Sequence, residues 1–251
     1  MAPIMEKLTN MKPNQKSGHT ERAIIVIPCA AGPARRYEPL ISAFGNSIKT
    51  IVAELPGHGR RLFEPAHGNV EALCDYLETH CLPLAEQRTI LLFGHSFGGL
   101  VAFELAKRLE SNGLVCERLV VAGCPAPNSP VAPERSDEAL GLDTLPAAIS
   151  DAVRQTIEAE WQLTKRIRNT PPVAVRAPIM VLDGTDDDVP RSSLEGWADL
   201  TSASIRIEEV AGDHYFPWAN PVPIARLIER WIERDRPDPP HDRTGIDTAS
   251  G

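Results

Sequence analysis

One five-residue stretch has the residue types and spacing for nucleophilic catalysis by a serine hydroxyl. Gly94-His95-Ser96-Phe97-Gly98 matches the pattern G-x-S-x-G, with the run TILLF before it and FGGLVAFELAKRL beginning inside it. The first run is typical of a buried strand and the second of an amphipathic helix, so Ser96 would stand on a sharp strand-to-helix turn. Small residues on both sides remove the Cβ atoms that would collide there. The alternative is a plain glycine-rich turn.

A serine hydroxyl needs a base that removes its proton during attack, and the chain has seven histidines. His214, in the segment VAGDHYF, follows the last predicted strand and precedes the last predicted helix. That is the place of the base when the chain order is Ser, acid, His. We expect His95 to point away from Ser96, as a packing or hydrogen-bonding residue. The sequence predicts His214 as the base, with a surface loop histidine as the alternative.

Three adjacent aspartates follow the predicted strand IMVLD, where an acid that orients the imidazole would lie. The common spacing G-x-x-D selects Asp187, with Asp186 as the second candidate. Three acids in a row are also compatible with a solvated turn or a weak cation site. A metal cage would need further oxygen ligands at defined offsets, and the sequence lacks them. The sequence therefore predicts a triad acid here and no metal.

Acyl transfer also requires donors for the oxyanion of the transition state. The backbone N–H of Phe97, at the start of the helix after Ser96, is one candidate. A second donor is expected in the segment PCAAG at residues 28–32, whose small residues let the backbone approach a substrate oxygen. The alternative for this segment is a plain Gly/Ala turn.

The elements that must position these residues alternate between strands and helices. Short runs rich in Ile, Val and Leu predict strands at residues 23–28, 50–55, 89–94, 118–122, 179–183 and 204–210. Amphipathic segments predict helices at residues 35–44, 70–86, 97–112, 192–200 and 221–233. This alternation predicts one doubly wound α/β domain at residues 21–234 with a mostly parallel sheet.

Three segments depart from that alternation. Residues 125–172 contain no predicted strand but have helical patterns, which indicates a lid over the carboxyl ends of the strands. An ordinary helical crossover of extra length is the alternative. Residues 1–20 and 235–251 are polar or rich in proline, and we expect flexible terminal segments there.

Composition narrows the possible partners. The formal net charge of −8 and the absence of a Lys/Arg cluster argue against nucleic acid. Five scattered cysteines without a CxxC pair indicate buried thiols in a reducing compartment. The N-terminus has no apolar signal region and no window approaches 18 apolar residues, so the expected location is the cytoplasm and no membrane partner is predicted.

Several segments together resemble the type II thioesterases that accompany nonribosomal peptide and polyketide synthases, a family of the α/β-hydrolase fold. The family's P-H-A-G-G loop is similar to residues 28–32, and its P-G-R-G-x-R is similar to PGHGRR at residues 56–61. Its F-G-H-S-M-G resembles FGHSFG at 93–98, its A-P pair matches residues 126–127, and its G-G-H-F resembles GDHY at 212–215. Cys29, Ala31 and His58 depart from the usual His, Gly and Arg, and the resemblance leaves substrate preference open.

The resemblance implies a triad of Ser96, Asp187 and His214, with oxyanion N–H groups from Ala30 and Phe97. It also implies hydrolysis of acyl groups from the phosphopantetheine arm of acyl or peptidyl carrier proteins, which clears misloaded units. The phosphopantetheine belongs to the substrate, and we expect no cofactor of the chain's own. Two other functions stay open: a carboxylesterase or acyltransferase with the same triad, and a ligand-binding protein that has lost turnover.

Overall fold

A computed structural model describes residues 21–86, 88–129 and 142–234 of the 251-residue chain. Six parallel strands form one sheet in the order β2-β1-β3-β4-β5-β6. The strands are β1 (Arg22–Ile27), β2 (Lys49–Val52), β3 (Thr89–His95), β4 (Cys116–Ala122), β5 (Ile179–Gly184) and β6 (Ile205–Val210). Each predicted strand is present, and the doubly wound α/β-hydrolase architecture is confirmed.

The hydrophobic runs of the central strands are explained by burial on both faces of the sheet. In β1, Ile25 and Ile27 pack into one core cluster while Ile24 and Val26 pack into the other. Because successive side chains of a strand point to opposite faces, a strand covered on both sides must be apolar throughout. The two clusters are therefore the two layers between the sheet and its flanking helices.

Seven α-helices cover the described part of the sheet and its edges. They are α1 (Glu38–Phe44), α2 (Val70–His80), α3 (Phe97–Ser111), α4 (Ala147–Asn169), α5 (Arg191–Glu195), α6 (Phe216–Ala219) and α7 (Pro221–Arg234). Short 3₁₀ turns lie at Ala34–Tyr37, Gly59–Arg61, Leu82–Ala85, Leu142–Thr144 and Gly196–Leu200. No described helix is apolar over a length that would cross a membrane.

Three of the predicted helices are shorter than the sequence pattern indicated. The predicted helix at 70–86 ends at His80 and gives way to the 3₁₀ turn Leu82–Ala85, since Pro83 has no N–H to continue an α-helical ladder. The helix predicted at 35–44 starts as a 3₁₀ turn and becomes α-helical at Glu38. The helix predicted at 192–200 changes to a 3₁₀ turn at Gly196.

The segment predicted as a lid contributes a long helix at the carboxyl edge of the sheet. Helix α4 buries Thr156 and Glu160, whose side chains bind the loops that follow β2 and β1. Both loops begin where a parallel strand ends, so α4 crosses the edge at which the candidate site lies. Residues 130–141 of this segment, and the predicted terminal segments 1–20 and 235–251, are outside the described residues.

The five cysteines are buried and none forms a disulfide. Burial raises the pKa of Cys74, Cys116 and Cys124 to about 12 and that of Cys81 to about 11. A thiol becomes nucleophilic only as its thiolate. These four cysteines therefore act as small apolar core residues.

The turn between β3 and α3 depends on close backbone contact. A Cβ on Gly98 would overlap the backbone carbonyls of Ile27 and Pro28, and a Cβ on Gly94 would overlap the Gly98 carbonyl. Helix α3 can therefore pack against the ends of β1 and β3 only if both positions lack side chains.

We expect Gly98→Ala to lower the free energy of unfolding by about 1–3 kcal/mol, because the clash is with backbone that cannot rotate away. Urea denaturation monitored by circular dichroism measures this change. Gly68→Ala is the matched control, since a Cβ there meets nothing within 4 Å. Equal stability of the two variants would contradict the proposed close contact.

Candidate active site

Ser96 occupies the bend between β3 and α3, as the residue that precedes the first turn of the helix. Its backbone has φ 54° and ψ −120°, a left-handed conformation that residues other than glycine rarely adopt. The Ser96 N–H donates to the Ala122 carbonyl of β4 at 2.8 Å, and the Ser96 carbonyl accepts from the Gly99 N–H at 2.8 Å. The strained serine is thus held by the neighbouring strand and by its own helix.

His214 and Asp187 are hydrogen-bonded to each other. The His214 Nδ1 lies 2.9 Å from Asp187 Oδ2 and 3.1 Å from Oδ1. The Asp187 side chain has no exposed surface and that of His214 is 11% exposed. A carboxylate accepts hydrogen bonds, so Nδ1 carries the proton and Nε2 is the ring nitrogen that can accept one.

The turn after β5 presents one aspartate of the three to His214. The Asp187 N–H donates to the Gly184 carbonyl, and the Asp186 N–H donates to the Gly212 carbonyl, both at 3.0 Å. The first bond tightens the turn after β5, and the second joins this turn to the loop after β6. Asp186 and Asp188 are exposed, and Asp186 accepts from the Thr185 hydroxyl. Of the two acids that the sequence left open, Asp187 is the one that contacts the imidazole.

The end of β4 connects the serine bend to the His214–Asp187 pair. Ala122 accepts the Ser96 N–H, and the next residue, Gly123, lies directly beneath the pair with φ 53°. A Cβ on Gly123 would lie 2.9 Å from Asp187 Oδ2 and 3.4 Å from His214 Nδ1. Ser96 is thus bonded to Ala122 at the end of β4, and the His214–Asp187 pair lies against the next residue, Gly123.

A buried hydrogen-bond chain fixes His95 and reaches His214. The His95 Nε2 lies 2.8 Å from the His214 carbonyl, which can only accept, so Nε2 carries the proton. Its Nδ1 therefore accepts from the Tyr37 hydroxyl at 2.8 Å, and the Tyr37 oxygen accepts from the Cys29 N–H at 3.0 Å. Complete burial raises the pKa of Tyr37 well above its ordinary value, which keeps the hydroxyl protonated as a donor.

The sequence predicted one residue of this hydrogen-bond chain, His95, but not the other, Tyr37. His95 was expected to hydrogen-bond away from Ser96, and its position agrees with that expectation. Tyr37 was not predicted as part of the site. It lies 58 residues from His95, and no spacing pattern indicated their contact.

The loop after β1 is a tight turn in which the N–H groups of Cys29, Ala31 and Gly32 are hydrogen-bonded. The Gly32 N–H donates to the Cys29 carbonyl at 2.9 Å, and the Ala31 N–H donates to Glu160 Oε2 at 2.9 Å. The Cys29 N–H donates to the Tyr37 hydroxyl oxygen. Among the described residues, the Ala30 N–H has no acceptor. It is therefore the backbone donor in this turn that can serve a substrate oxygen.

Phe97, the second predicted oxyanion residue, is the first residue of α3. Its N–H is one of the first four in the helix, which have no acceptor within the helix. The positive end of the helix dipole adds to the attraction for a developing negative charge. In the described residues no three His, Cys, Asp or Glu side chains are grouped as a metal site would require.

A sequence model of the family described as "Thioesterase domain" matches residues 22–232. The chain belongs to the thioesterase family.

Related proteins are found at modest sequence identity. This thioesterase is 26% identical over 231 residues to a probable cadicidin biosynthesis thioesterase of Streptomyces griseus, covering 86% of this chain and 64% of the relative. It is 27% identical over 225 residues to the thioesterase TesA of Mycobacterium marinum, covering 83% of this chain and 89% of TesA. The chain thus spans slightly less than two thirds of the first relative and most of the second.

Comparison with solved structures agrees with membership of the thioesterase family. This thioesterase superimposes on the type II thioesterase BorB from the borrelidin biosynthetic cluster with a TM-score of 0.73 and 26% identity, over 88% of this chain and 95% of BorB. Membership of the family makes the chain a hydrolase, and the binding-protein alternative is set aside.

We expect Tyr37→Phe to lower the unfolding free energy of this thioesterase by about 1–3 kcal/mol, since the Cys29 N–H and His95 Nδ1 lose their buried partner. Its turnover should fall as well, because the loop after β1 and His214 both lose an anchor. Thr201→Val is the control, since the Thr201 hydroxyl donates to the Ala177 carbonyl at 2.7 Å near the opposite end of β5. Chemical denaturation measures the unfolding free energy, and steady-state kinetics measure turnover. An equal fall of turnover in the two variants would contradict the role of the Tyr37–His95 hydrogen bonds.

Proposed function

We propose that this thioesterase hydrolyses acyl groups from the phosphopantetheine arm of acyl or peptidyl carrier proteins, through an acyl-enzyme on Ser96. The observation that carries the proposal is the His214–Asp187 hydrogen bond beside the strained serine bend. It orients the imidazole ring at the edge of the sheet where Ser96 lies. This is the arrangement that activates a serine hydroxyl.

The proposed acylation step uses each predicted site residue once. Ser96 Oγ attacks the thioester carbonyl carbon while His214 Nε2 takes the hydroxyl proton. Asp187 accepts the Nδ1–H bond and stabilises the imidazolium that results. The Ala30 and Phe97 N–H groups bind the oxygen that becomes negative. Collapse of the intermediate breaks the carbon–sulfur bond, and the pantetheine sulfur leaves with the proton from His214.

Deacylation repeats these steps with water. His214 removes a proton from water as its oxygen attacks the Ser96 ester, the same two N–H groups bind the oxyanion, and the proton returns to Ser96 Oγ. The acid and the free serine are the products. We propose that no cofactor is required beyond the pantetheine that the substrate brings.

The proposed substrate class is supported by what the relatives are called. BorB is a type II thioesterase from a biosynthetic cluster, and the Streptomyces griseus relative is named for cadicidin biosynthesis. On that basis we propose removal of misloaded acyl groups in nonribosomal peptide or polyketide synthesis. Buried thiols without a disulfide support a cytoplasmic location.

Intact-protein mass spectrometry of carrier proteins loaded with varied acyl groups tests this function. We expect loss of the acyl mass with wild-type protein and no loss with Ser96→Ala. Turnover of aryl esters is measured beside that of acyl-pantetheine. Faster hydrolysis of aryl esters, with all acyl-carrier proteins unchanged, would favour a carboxylesterase and contradict the proposal.

The two principal residues should act as one unit. We expect Ser96→Ala and His214→Ala each to lower kcat by at least about 10³-fold, and the double variant to lose little more, since either change removes the activated nucleophile. Steady-state kinetics on acyl-pantetheine measure the three values. Losses that multiply in the double variant would show that the two residues act independently.

A matched pair of variants tests which aspartate is the acid of the proposed triad. We expect Asp187→Asn to lower kcat by about 10²–10⁴-fold, because an amide no longer holds the imidazole in the required tautomer. Asp186→Asn removes an exposed charge from the adjacent position and should leave kcat within about twofold. Kinetics that rank the two variants in the opposite order would assign the acid to Asp186.

A further inference from the structure

His58 and Glu160 form a buried pair between helix α4 and the loop after β2. His58 has no exposed surface and Glu160 is 4% exposed. The His58 Nε2 lies 2.6 Å from Glu160 Oε1, across 102 residues of sequence. Glu160 is on α4, and His58 is in the loop after β2. Neither residue takes part in the proposed proton transfers.

The two hydrogen bonds of His58 and its pKa together indicate the protonation state of the pair. The His58 Nδ1 lies 2.9 Å from the Gly32 carbonyl, which can only accept, so Nδ1 carries a proton. Its Nε2 lies 2.6 Å from Glu160 Oε1, and the raised pKa of His58 places the proton of this contact on Nε2. His58 is therefore an imidazolium paired with the Glu160 carboxylate. A buried charge of either sign without the other is strongly unfavourable, so the two residues depend on each other.

Both members of the pair also hold the turn after β1. Glu160 Oε2 accepts the Ala31 N–H at 2.9 Å, and His58 donates to the Gly32 carbonyl. Ala31 has φ 49°, which costs a residue with a Cβ about 1–2 kcal/mol. A strained conformation persists only where its surroundings hold it. The Glu160 carboxylate is the acceptor that holds Ala31 in it.

The fixed turn determines where the Ala30 N–H points. The Gly32 N–H binds the Cys29 carbonyl, and the Ala30 N–H belongs to the same planar peptide and points the opposite way. If Ala31 relaxed from its left-handed conformation, Gly32 would leave the Cys29 carbonyl and that peptide could rotate. A displacement of about 1 Å at a catalytic donor is enough to lower a rate by about 10²-fold.

We propose that Glu160 and His58 are positioning residues: helix α4, through this ion pair, holds the Ala31 N–H and the Gly32 carbonyl so that the Ala30 N–H faces the oxyanion. The inference rests on the proposed function, since it assigns a role within that reaction. Neither residue touches the substrate. Docking of α4 and formation of the oxyanion site are thereby one event.

Three variants test the proposal. Glu160→Leu keeps the bulk of the side chain but removes both acceptors. Glu160→Gln keeps the hydrogen bonds without the charge, since its oxygen accepts from Ala31 and its NH₂ donates to a neutral His58. Thr156→Val is the control, because Thr156 is one turn earlier on the same buried face and donates only to the Gly57 carbonyl, at 3.2 Å.

We expect Glu160→Leu to lower kcat for acyl-pantetheine by about 10–100-fold with KM changed less than threefold, since an oxyanion donor acts in the transition state. Glu160→Gln should recover at least a third of the wild-type kcat, and Thr156→Val should remain within twofold of it. An unchanged kcat in Glu160→Leu, an equal loss in Thr156→Val, or no recovery in Glu160→Gln would each overturn the proposal.

The pH profile provides a second readout that a purely structural role would not change. Burial alone would lower the pKa of His58, but the charge and hydrogen bond of Glu160 outweigh it and hold the pKa above its ordinary value. Glu54, which pairs with Arg60 after β2, adds to that effect. The pair is therefore intact below the raised pKa of His58 and is lost as the pH rises through it.

We expect the wild-type kcat to fall on the alkaline side, and this fall to be absent in Glu160→Gln, where His58 is already neutral. If Glu160→Leu does not fold, as judged by circular dichroism, this comparison decides alone. An alkaline fall that persists in Glu160→Gln would overturn the proposal.

Labelling separates failure of this inference from failure of the proposed function. If wild-type protein cleaves no thioester, the rate at which a fluorophosphonate labels Ser96 replaces kcat, because phosphonylation uses the same oxyanion donors. The same ranking of variants is expected and would sustain the positioning role without the substrate claim. Equal labelling rates, or no labelling of folded wild-type protein, would overturn it.

Discussion

Approach of backbone to backbone at the start of α3 is the constraint on which the site depends. Gly94 and Gly98 let the helix begin against the ends of β1 and β3, where any side chain would overlap a carbonyl. Ser96, between them, must then adopt a left-handed conformation. That one bend sets the positions of both the Ser96 side chain and the Phe97 N–H. The strain is offset by hydrogen bonds to β4 and to the helix.

The remaining groups reach this bend because parallel strands end at one edge of the sheet. The loops after β1, β5 and β6 supply the turn at Ala30, the acid Asp187 and the imidazole of His214. Each loop is joined to its neighbour by specific bonds. The His95–Tyr37 chain connects the loop after β1 to His214, and backbone bonds connect the loops after β5 and β6. Displacement of one loop therefore moves its partners.

Much of this candidate site could be predicted from the sequence because the patterns that indicate it are short and local. The glycines around Ser96, the run of aspartates after a strand and the position of His214 between the last strand and helix are patterns of a few residues each. Contacts between distant segments leave no such pattern. No pattern in the sequence indicated the contacts of Tyr37, His58 and Glu160, because each is bonded to a partner at least 58 residues away.

The sequence alone determined the order and type of the strands and helices, the strand-to-helix bend at Ser96 and the order of the candidate catalytic groups along the chain. The reason is that hydrophobic period, turn residues and glycine positions act over short stretches of chain. Only the folded structure showed that Asp187 and not Asp186 contacts His214, left the Ala30 N–H as the unbonded donor of its turn, and joined helix α4 to that turn. Those outcomes depend on which surfaces the sheet brings together, and distances between remote residues are properties of the packing.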